Sequence, residues 1–476
     1  MKPKSLSCLI PAILGMQFAL LASCDQTADV PPPVIETPVV VTPEVVTPVV
    51  DTPPVEISGN ETALKVFADM ATPDQIKAIN YFNSLVVVDP AAIRATSDVF
   101  SFDLLMTSLA QQGGSQVADL DKSWIDSMTN PQTVNEDTAE PRIDAAEALT
   151  AALADKAARI QLIAVTNRMD LTKIDSTTHS VDRLGETHLV YELRDAQNNP
   201  LPYTVIMEFG FPLAAGDTRE AALKRWAERW SSLSTRALDS DEYRQELLAL
   251  LTEIATRDNF LQMRTNESVD ASLKWELRQF SLQGDTFKVD VLPQTPSERY
   301  KETDNLVFLN TYIQDHSTAF LDGDYDFSSS PDGAKMLGMR ALGGSTWKQN
   351  NSPSDAYYIF YANTCTGCHL EVNKGGDRHV FTNADAKTVM SPFLTEAIMI
   401  DAKLSKSCVP RGAFSWCVQG DPGTNQWIWN ESLRRRSLLA CFAAGFTSCR
   451  IADNNLVEES ALDTGAVIRI DGKPYH

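Results

Sequence analysis

His188-Leu-Val-Tyr-Glu-Leu-Arg194 and Pro202-Tyr-Thr-Val-Ile-Met-Glu-Phe209 flank the polar run Asp195-Ala-Gln-Asn-Asn-Pro200. Both flanks are rich in β-branched and aromatic residues and the run between them carries turn formers. The stretch therefore predicts a β-hairpin with a slightly long loop. A second hairpin is expected over 273–282 and 286–292, turning at Gly284-Asp285. The compact apolar run 160–166 reads as a buried strand. Around these strands, apolar residues recur at helical spacing over 74–85, 100–110, 145–159, 218–233, 241–256 and 304–321. Paired strands interleaved with paired helices point to an α+β domain built on an antiparallel sheet.

Three short segments set charge among apolar neighbours: Asn167-Arg168-Met169-Asp170, Arg264-Thr265-Asn266-Glu267 and Trp275-Glu276-Leu277-Arg278. Buried charges need partners, so these segments are expected to meet in one ion-pair network. Fold-specifying salt bridges are the preferred reading over a polar pocket, because no nucleophile–base pair or metal-ligand spacing emerges. Phosphate-loop, dinucleotide and HExxH signatures are absent. Asp322, Asp324 and Asp326 alternate, but Phe327 and Gly333 stand where a calcium loop of the EF-hand type needs Gly and Glu. A solvated acidic loop is expected there.

The chain has 476 residues, 43% of them hydrophobic, enough for ordinary cores in two or three domains. Its formal charge of -22 argues against unaided nucleic-acid binding, which needs clustered Lys and Arg. Such an acidic surface would instead steer a cationic partner. Eight cysteines are too few for a disulfide-dense scaffold, and their positions divide them into groups with different chemistry.

Lys2 and Lys4 precede an apolar run over 10–21, shorter than the roughly 20 residues a membrane-spanning helix requires. The run ends in Leu21-Ala22-Ser23-Cys24, which resembles the lipobox of bacterial lipoproteins. The resemblance implies removal of 1–23 as a signal peptide, acyl chains on Cys24, export, and anchorage to the membrane through that lipid. A plain signal peptide with an incidental cysteine is the alternative. Asp25 is similar to the retention signal of proteobacterial lipoproteins, which implies the periplasmic side of the inner membrane. Loss of Lys2 and Lys4 with the leader would deepen the net negative charge.

Residues 24–58 then read as a stalk. Thr-Pro pairs at 37–38, 42–43, 47–48 and 52–53 recur every fifth position among valines. Proline at that spacing forbids helix and favours extended, polyproline-like chain. Residues 59–350 form the expected α+β domain, and 351–476 a separate mainly α-helical module.

That last module holds Cys365-Thr366-Gly367-Cys368-His369. Two thiols three positions apart can add to the two vinyl groups of haem, which sets the following His beneath the iron. Through these five residues and the helix-compatible lead-in 355–363, residues 351–476 resemble the c-type cytochromes. The resemblance implies one covalently attached haem c, with Cys365 and Cys368 as thioether anchors and His369 as proximal ligand. A thioredoxin-like disulfide, a zinc site and coincidence are the competing readings.

His379, Met390 and Met399 follow as candidates for the sixth iron ligand. His379 ranks first, because it ends the flexible run Gly375-Gly376-Asp377-Arg378; Met390 is the alternative. Histidine at both axial positions would lower the potential relative to His/Met. Lys374 and Arg378 could pair with haem propionates, although solvated surface charge is their default. For His179, His188, His316 and His476 a surface imidazole is the expectation.

Cys408, Cys417, Cys441 and Cys449 form an even set in an oxidising compartment and read as two disulfides, for which three connectivities exist. Proximity favours Cys408 with Cys417 and Cys441 with Cys449. Arg434-Arg435-Arg436 lies in an amphipathic stretch that could dock a partner or pair with the chain's own carboxylates. Trp416, Trp427 and Trp429 would cover a haem edge or serve as plain core.

A wider pattern runs through Phe102-Asp-Leu-Leu-Met106, Val165-Thr-Asn-Arg-Met-Asp-Leu171, Arg264-Thr-Asn-Glu267, Trp275-Glu-Leu-Arg278, Asn363-Thr-Cys-Thr-Gly-Cys-His369 and Leu433-Arg-Arg-Arg436. It is similar to a group of exported bacterial proteins without an assigned activity, which implies one co-inherited architecture. The sequence thus predicts a lipid-anchored c-type haem protein carrying single electrons to a redox partner at the cell envelope. Two alternatives stand beside it: a haem-dependent redox enzyme with its site near Arg168, Arg264 or Glu276, and a haem-based sensor or binding protein.

Overall fold

The structure is a computed structural model. It describes residues 85–87 and 101–343, apart from 175–179, 234–235, 237–239, 270–273 and 323–324. Beyond 354 it describes 355–362, 364–367, 369, 379–382, 388–390, 398–401, 418–419, 426–429 and a few positions between 435 and 445. The leader, Cys24, the stalk and the helix expected over 74–85 lie outside the described residues, except Leu85, which begins a strand. By its contacts the chain divides into Met1–Val55 and Glu56–His476, and every described residue belongs to the second unit.

The first described elements are β1 (Leu85–Val87), α1 (Phe102–Gly113) and α2 (Val117–Thr129). A small hairpin, β2 (Gln132–Val134) and β3 (Asp137–Ala139), leads to α3 (Ile143–Leu153) and α4 (Lys156–Arg159). Next come β4 (Ile160–Arg168), the short pair β5 (Lys173–Ile174) and β6 (Val181–Arg183), then β7 (Glu186–Arg194) and β8 (Pro200–Gly210). Helices α5 (Arg219–Ser232) and α6 (Asp241–Ile254) precede β9 (Phe260–Glu267), β10 (Glu276–Gln283) and β11 (Thr286–Asp290). The chain continues through α7 (Thr303–Asp315), α8 (Ser317–Asp322), α9 (Pro331–Met336), β12 (Arg340–Leu342) and α10 (Asp355–Ala362).

Eight strands form one sheet in the order β1-β4-β7-β8-β9-β10-β11, with β12 also paired to β10. Every pairing in it is antiparallel. Helices plus an antiparallel sheet make this an α+β fold, and both hairpins expected from the sequence are present as β7–β8 and β10–β11. The second turns at Gly284, whose φ of 57° is a left-handed conformation that suits glycine. The hydroxyls of Thr218 and Ser240 cap α5 and α6 by accepting the backbone N–H of Ala221 and Tyr243.

Two expected helices are each divided. The stretch 145–159 breaks between α3 and α4, where Asp155 leaves helical backbone at φ -146°. The stretch 304–321 breaks at His316, whose Nδ1 lies 2.8 Å from the carbonyl of Tyr312. Helix α2 was not legible beforehand; its Trp124 is fully buried against Phe102, Phe280 and Phe287.

One face of the sheet presents Val165, Leu189, Met207, Met263 and Phe280 to a core shared with α1, α2, α3, α5 and α6. All nine residues of β7 are buried, so its other face is covered too. A second, aromatic cluster gathers Tyr312, Phe320, Tyr325 and Phe327 with Tyr357, Phe360 and Tyr361 of α10. The segment that enters Cys365 therefore shares a core with α7, α8 and α9.

Beyond α10, β13 (Val380–Thr382) pairs with β14 (Thr388–Met390), and β15 (Ile398–Asp401) and β16 (Val418–Gln419) flank β17 (Gln426–Trp429). The described residues of 351–476 also include helical positions at 365–366, 435, 438–439 and 442–443. No described helix is long and apolar enough to cross a membrane.

Candidate functional site

Alternation along the strands decides where the charges go. Register places Thr166, His188, Glu208 and Gln262 side by side in one row across four strands. Arg168 stands opposite Glu186, and Arg264 opposite Gln279. These side chains occupy the sheet face turned away from the helical core, and Arg168, Glu186, His188, Glu208, Arg264 and Gln279 are all buried.

Their contacts form a continuous polar layer. His188 Nε2 lies 3.0 Å from Glu186 Oε2 and 3.8 Å from Glu208 Oε2. Arg264 holds Glu208 Oε1 at 3.2 Å and donates from Nε to Gln279 Oε1 at 3.0 Å. Gln262 donates to the other oxygen of Glu208. Arg168 grips Asp170 with two hydrogen bonds of 2.9 and 3.0 Å. Burial works against ionisation of Glu186, yet the hydrogen bond and charge of His188, with Arg183 and Arg168, hold its carboxyl below the usual range.

The Cys365 segment is seated against this side of the sheet. Helix α10 closes with Thr364, whose N–H and hydroxyl both donate to the carbonyl of Tyr361 at 3.0 and 2.8 Å. The next N–H, of Cys365, donates to Thr295 Oγ1 at 3.0 Å, and that of Gly367 donates back to Thr364 Oγ1 at 3.0 Å. Cys365 is fully buried in a cluster with Trp275, Leu277, Leu292 and Ala341. Burial pushes its thiol up to about 11, opposed by the nearby charge of Arg264 and the hydrogen bond with Thr295. Two residues beyond the turn's glycine, His369 stacks on Trp275 with ring centroids 4.9 Å apart and planes 28° apart. The indole N–H of Trp275 donates to Asn266 Oδ1 at 2.5 Å, which fixes the ring from below.

His379 arrives at the same place. Its ring centroid lies 4.3 Å from that of His369, with an interplanar angle of 41°. Burial, then the positive charges of His369, Arg435 and Arg168, push the His379 imidazole well below its ordinary range. It immediately precedes β13, which lies against β4, β7 and β8. Pairing of Val380 with Met390 sets both candidates for a sixth iron ligand at one end of the same hairpin. Met399 sits apart, in β15 opposite Ile428.

Two sequence expectations change here, and a third narrows. The three charged segments form two networks on opposite faces of the sheet. On the helical side, the directly opposed Glu267 and Glu276 are reconciled by Arg142, which makes two 2.8 Å hydrogen bonds to Glu267 and lies 3.7 Å from Glu276. Arg278 adds its own bond to Glu276 and donates to the carbonyls of Ser127 and Glu140. Glu276 is thus remote in facing from the Cys365 segment, whereas Arg168 and Arg264 share its side. Secondly, His188 is 5% exposed and bonded to Glu186, not a surface imidazole; His316 is half-buried against Tyr312. Thirdly, Arg435 is 7% exposed, so this member of the arginine cluster is not offered to a partner. Trp427 and Trp429 lie in β17, paired with Ile400 and Ile398. In the acidic loop, Asp326 accepts the N–H and hydroxyl of Ser328 and starts a short turn. Cys368, Lys374, Arg378, Trp416, Cys408, Cys417, Cys441 and Cys449 lie outside the described residues.

The described donors fit a covalently attached haem in kind: a buried thiol and two adjoining imidazoles, with the positive charges of Arg435 and Arg168 nearby. An iron with its macrocycle would have to part the two imidazole rings to be held by both. Glu186, Glu208 and Gln262 escaped sequence reasoning, although polar residues alternating within otherwise apolar strands were the available signal. No protein-family model, curated protein or solved structure matches this chain.

Proposed function

We propose that the chain is an exported, lipid-anchored c-type haem protein that carries single electrons at the cell envelope. Cys365 and Cys368 anchor one haem c, His369 is its proximal ligand and His379 completes the coordination, with Met390 as the alternative. The observation that carries this reading is the meeting of His369 and His379 beside the buried Cys365. Bound there, the haem supplies a reversible one-electron couple. The chain excludes water with Trp275 and the apolar cluster around Cys365, fixes the proximal imidazole by stacking, and sets the positive charges of Arg435 and Arg168 near His379. Residues 351–476 act as the cytochrome-like module, with α10 as the helix that leads into the attachment turn. Cys24 carries the lipid at the periplasmic side of the inner membrane, the segment 24–58 is the spacer, and the disulfides draw on Cys408, Cys417, Cys441 and Cys449. The acidic surface suits a cationic redox partner and excludes nucleic acid.

The test is a pyridine haemochrome assay on protein matured with a haem-attachment system, after extraction with acidified acetone. Haem remaining with the polypeptide is the expected result; complete extraction, or no haem at all, overturns the proposal. A haem-dependent enzyme is the second reading, favoured by the charges of Arg264 and Glu208 near Cys365. Spectral change on adding cyanide or carbon monoxide would favour it, because electron transfer with both axial positions filled predicts indifference to such ligands.

A further inference from the structure

Glu186, His188 and Glu208 place two carboxylate oxygens and one imidazole nitrogen within 4.8 Å of one another, all three residues being buried. We propose that they bind one divalent first-row transition metal ion, of the manganese, iron or zinc class. The backbone presets the arrangement: Glu186 and His188 are alternate residues of β7 on one face, and Glu208 is the register partner of His188 on β8. A sheet holds such positions more rigidly than a loop does.

Two features point to a ligand beyond the cluster. Thr166, 7% exposed and the register partner of His188 on β4, has a hydroxyl with no hydrogen-bond partner. Glu208 Oε1 likewise lacks a hydrogen bond of proper geometry, although Arg264 stands 3.2 Å away. A bound ion with its waters would satisfy both atoms. Arg264 and Gln262 around Glu208 then act as the outer partners that orient a ligating carboxylate.

The donor set selects the class. Carboxylate oxygens suit manganese and imidazole suits iron or zinc, while the lack of sulfur disfavours copper(I). Three protein ligands leave positions open for water or a small substrate. The site is independent of whether haem is attached, because none of its ligands belongs to the Cys365 segment.

The test uses the full chain, stripped with EDTA and titrated with Mn2+ in excess Mg2+ to suppress binding at the acidic surface. Loss of the free Mn2+ paramagnetic resonance signal reads occupancy, and a pyridine haemochrome assay counts haem separately. One tight equivalent is expected in the parent protein, weakened at least tenfold by Glu208→Gln and by His188→Gln. Glu186→Gln, which preserves shape, is the further variant, and circular dichroism verifies the fold of each. Absence of a tight equivalent in the folded parent overturns the proposal. So does one tight equivalent that survives unchanged in the folded variants.

Discussion

The imidazoles of His369 and His379 stand 4.3 Å apart between centroids, although a Gly-Gly-Asp-Arg run precedes the second of them in sequence. One is held by Trp275, the other by the start of the β13–β14 hairpin. Replacing His379 by Ala should therefore convert a six-coordinate low-spin haem into a form that binds cyanide or carbon monoxide readily. Optical spectra of oxidised and reduced protein give the answer, and an unaltered low-spin spectrum would hand the role to Met390.

Trp275 is 3% exposed, stacks on His369 and donates to Asn266. Trp275→Phe keeps an aromatic face but removes the donor, and should cost about 1 kcal/mol. Trp275→Ala also opens a cavity and should cost about 3–5 kcal/mol, with lower haem yield from a loosened His369. Urea midpoints with unchanged slopes measure both.

Gly367 lies so close to the carbonyl of Tyr361 that an added Cβ would collide with it, with Thr364 Oγ1 only 3.2 Å away. Backbone cannot swing aside as a side-chain tip can, so Gly367→Ala should distort the attachment turn at a cost of about 1–3 kcal/mol. The ratio of covalent haem to polypeptide should fall several-fold, as read by haem staining against total protein.

Arg278 is 1% exposed and serves Glu276 from the helical side of the sheet. Arg278→Met should destabilise by about 3–5 kcal/mol, because Glu276 would lose a buried counter-charge. Adding Glu276→Leu should recover part of that loss, a sign that the penalty comes from the stranded charge. Denaturation of the single and double variants decides it.

Glu220 accepts the backbone N–H of Val181 at 3.0 Å, which, with its own N–H at the start of α5 and the cap Thr218, lowers its carboxyl from 4.5. A lowered acid adds stability that is present above 4.5 and lost as pH falls through the folded value. Glu220 is exposed, so the effect is screened to about 0.5 kcal/mol. Glu220→Gln should reduce the urea midpoint at neutral pH, and the difference from the parent should shrink as pH falls below 4.5 and vanish once the folded-state carboxyl is protonated.

The sheet was legible because its strands read as β-branched runs closed by turn residues, as in 188–209, and apolar spacing marked the helices over 218–233 and 241–256. What escaped was the meaning of alternation. His188, Glu192 and Arg194 in β7 look like a solvent-facing row, yet the Cys365 segment and β13 cover that side. Only the partner strands reveal that His188 stands beside Glu208 and that Arg264 closes the layer. Likewise, Arg168 and Glu276 look equivalent in sequence, and the parity of their positions sends them to opposite faces. Helix α2 was hidden because Asp119, Asp121, Lys122 and Asp126 dilute the apolar spacing that Leu120 and Trp124 supply.

The most direct measurement is the intact mass of the matured chain under denaturing conditions, beside Cys365→Ala and Cys368→Ala. The account predicts a parent chain heavier by one haem and a double variant without that increment. A parent chain carrying no haem mass, or a double variant that still carries it, would contradict the assignment of Cys365 and Cys368 as its anchors.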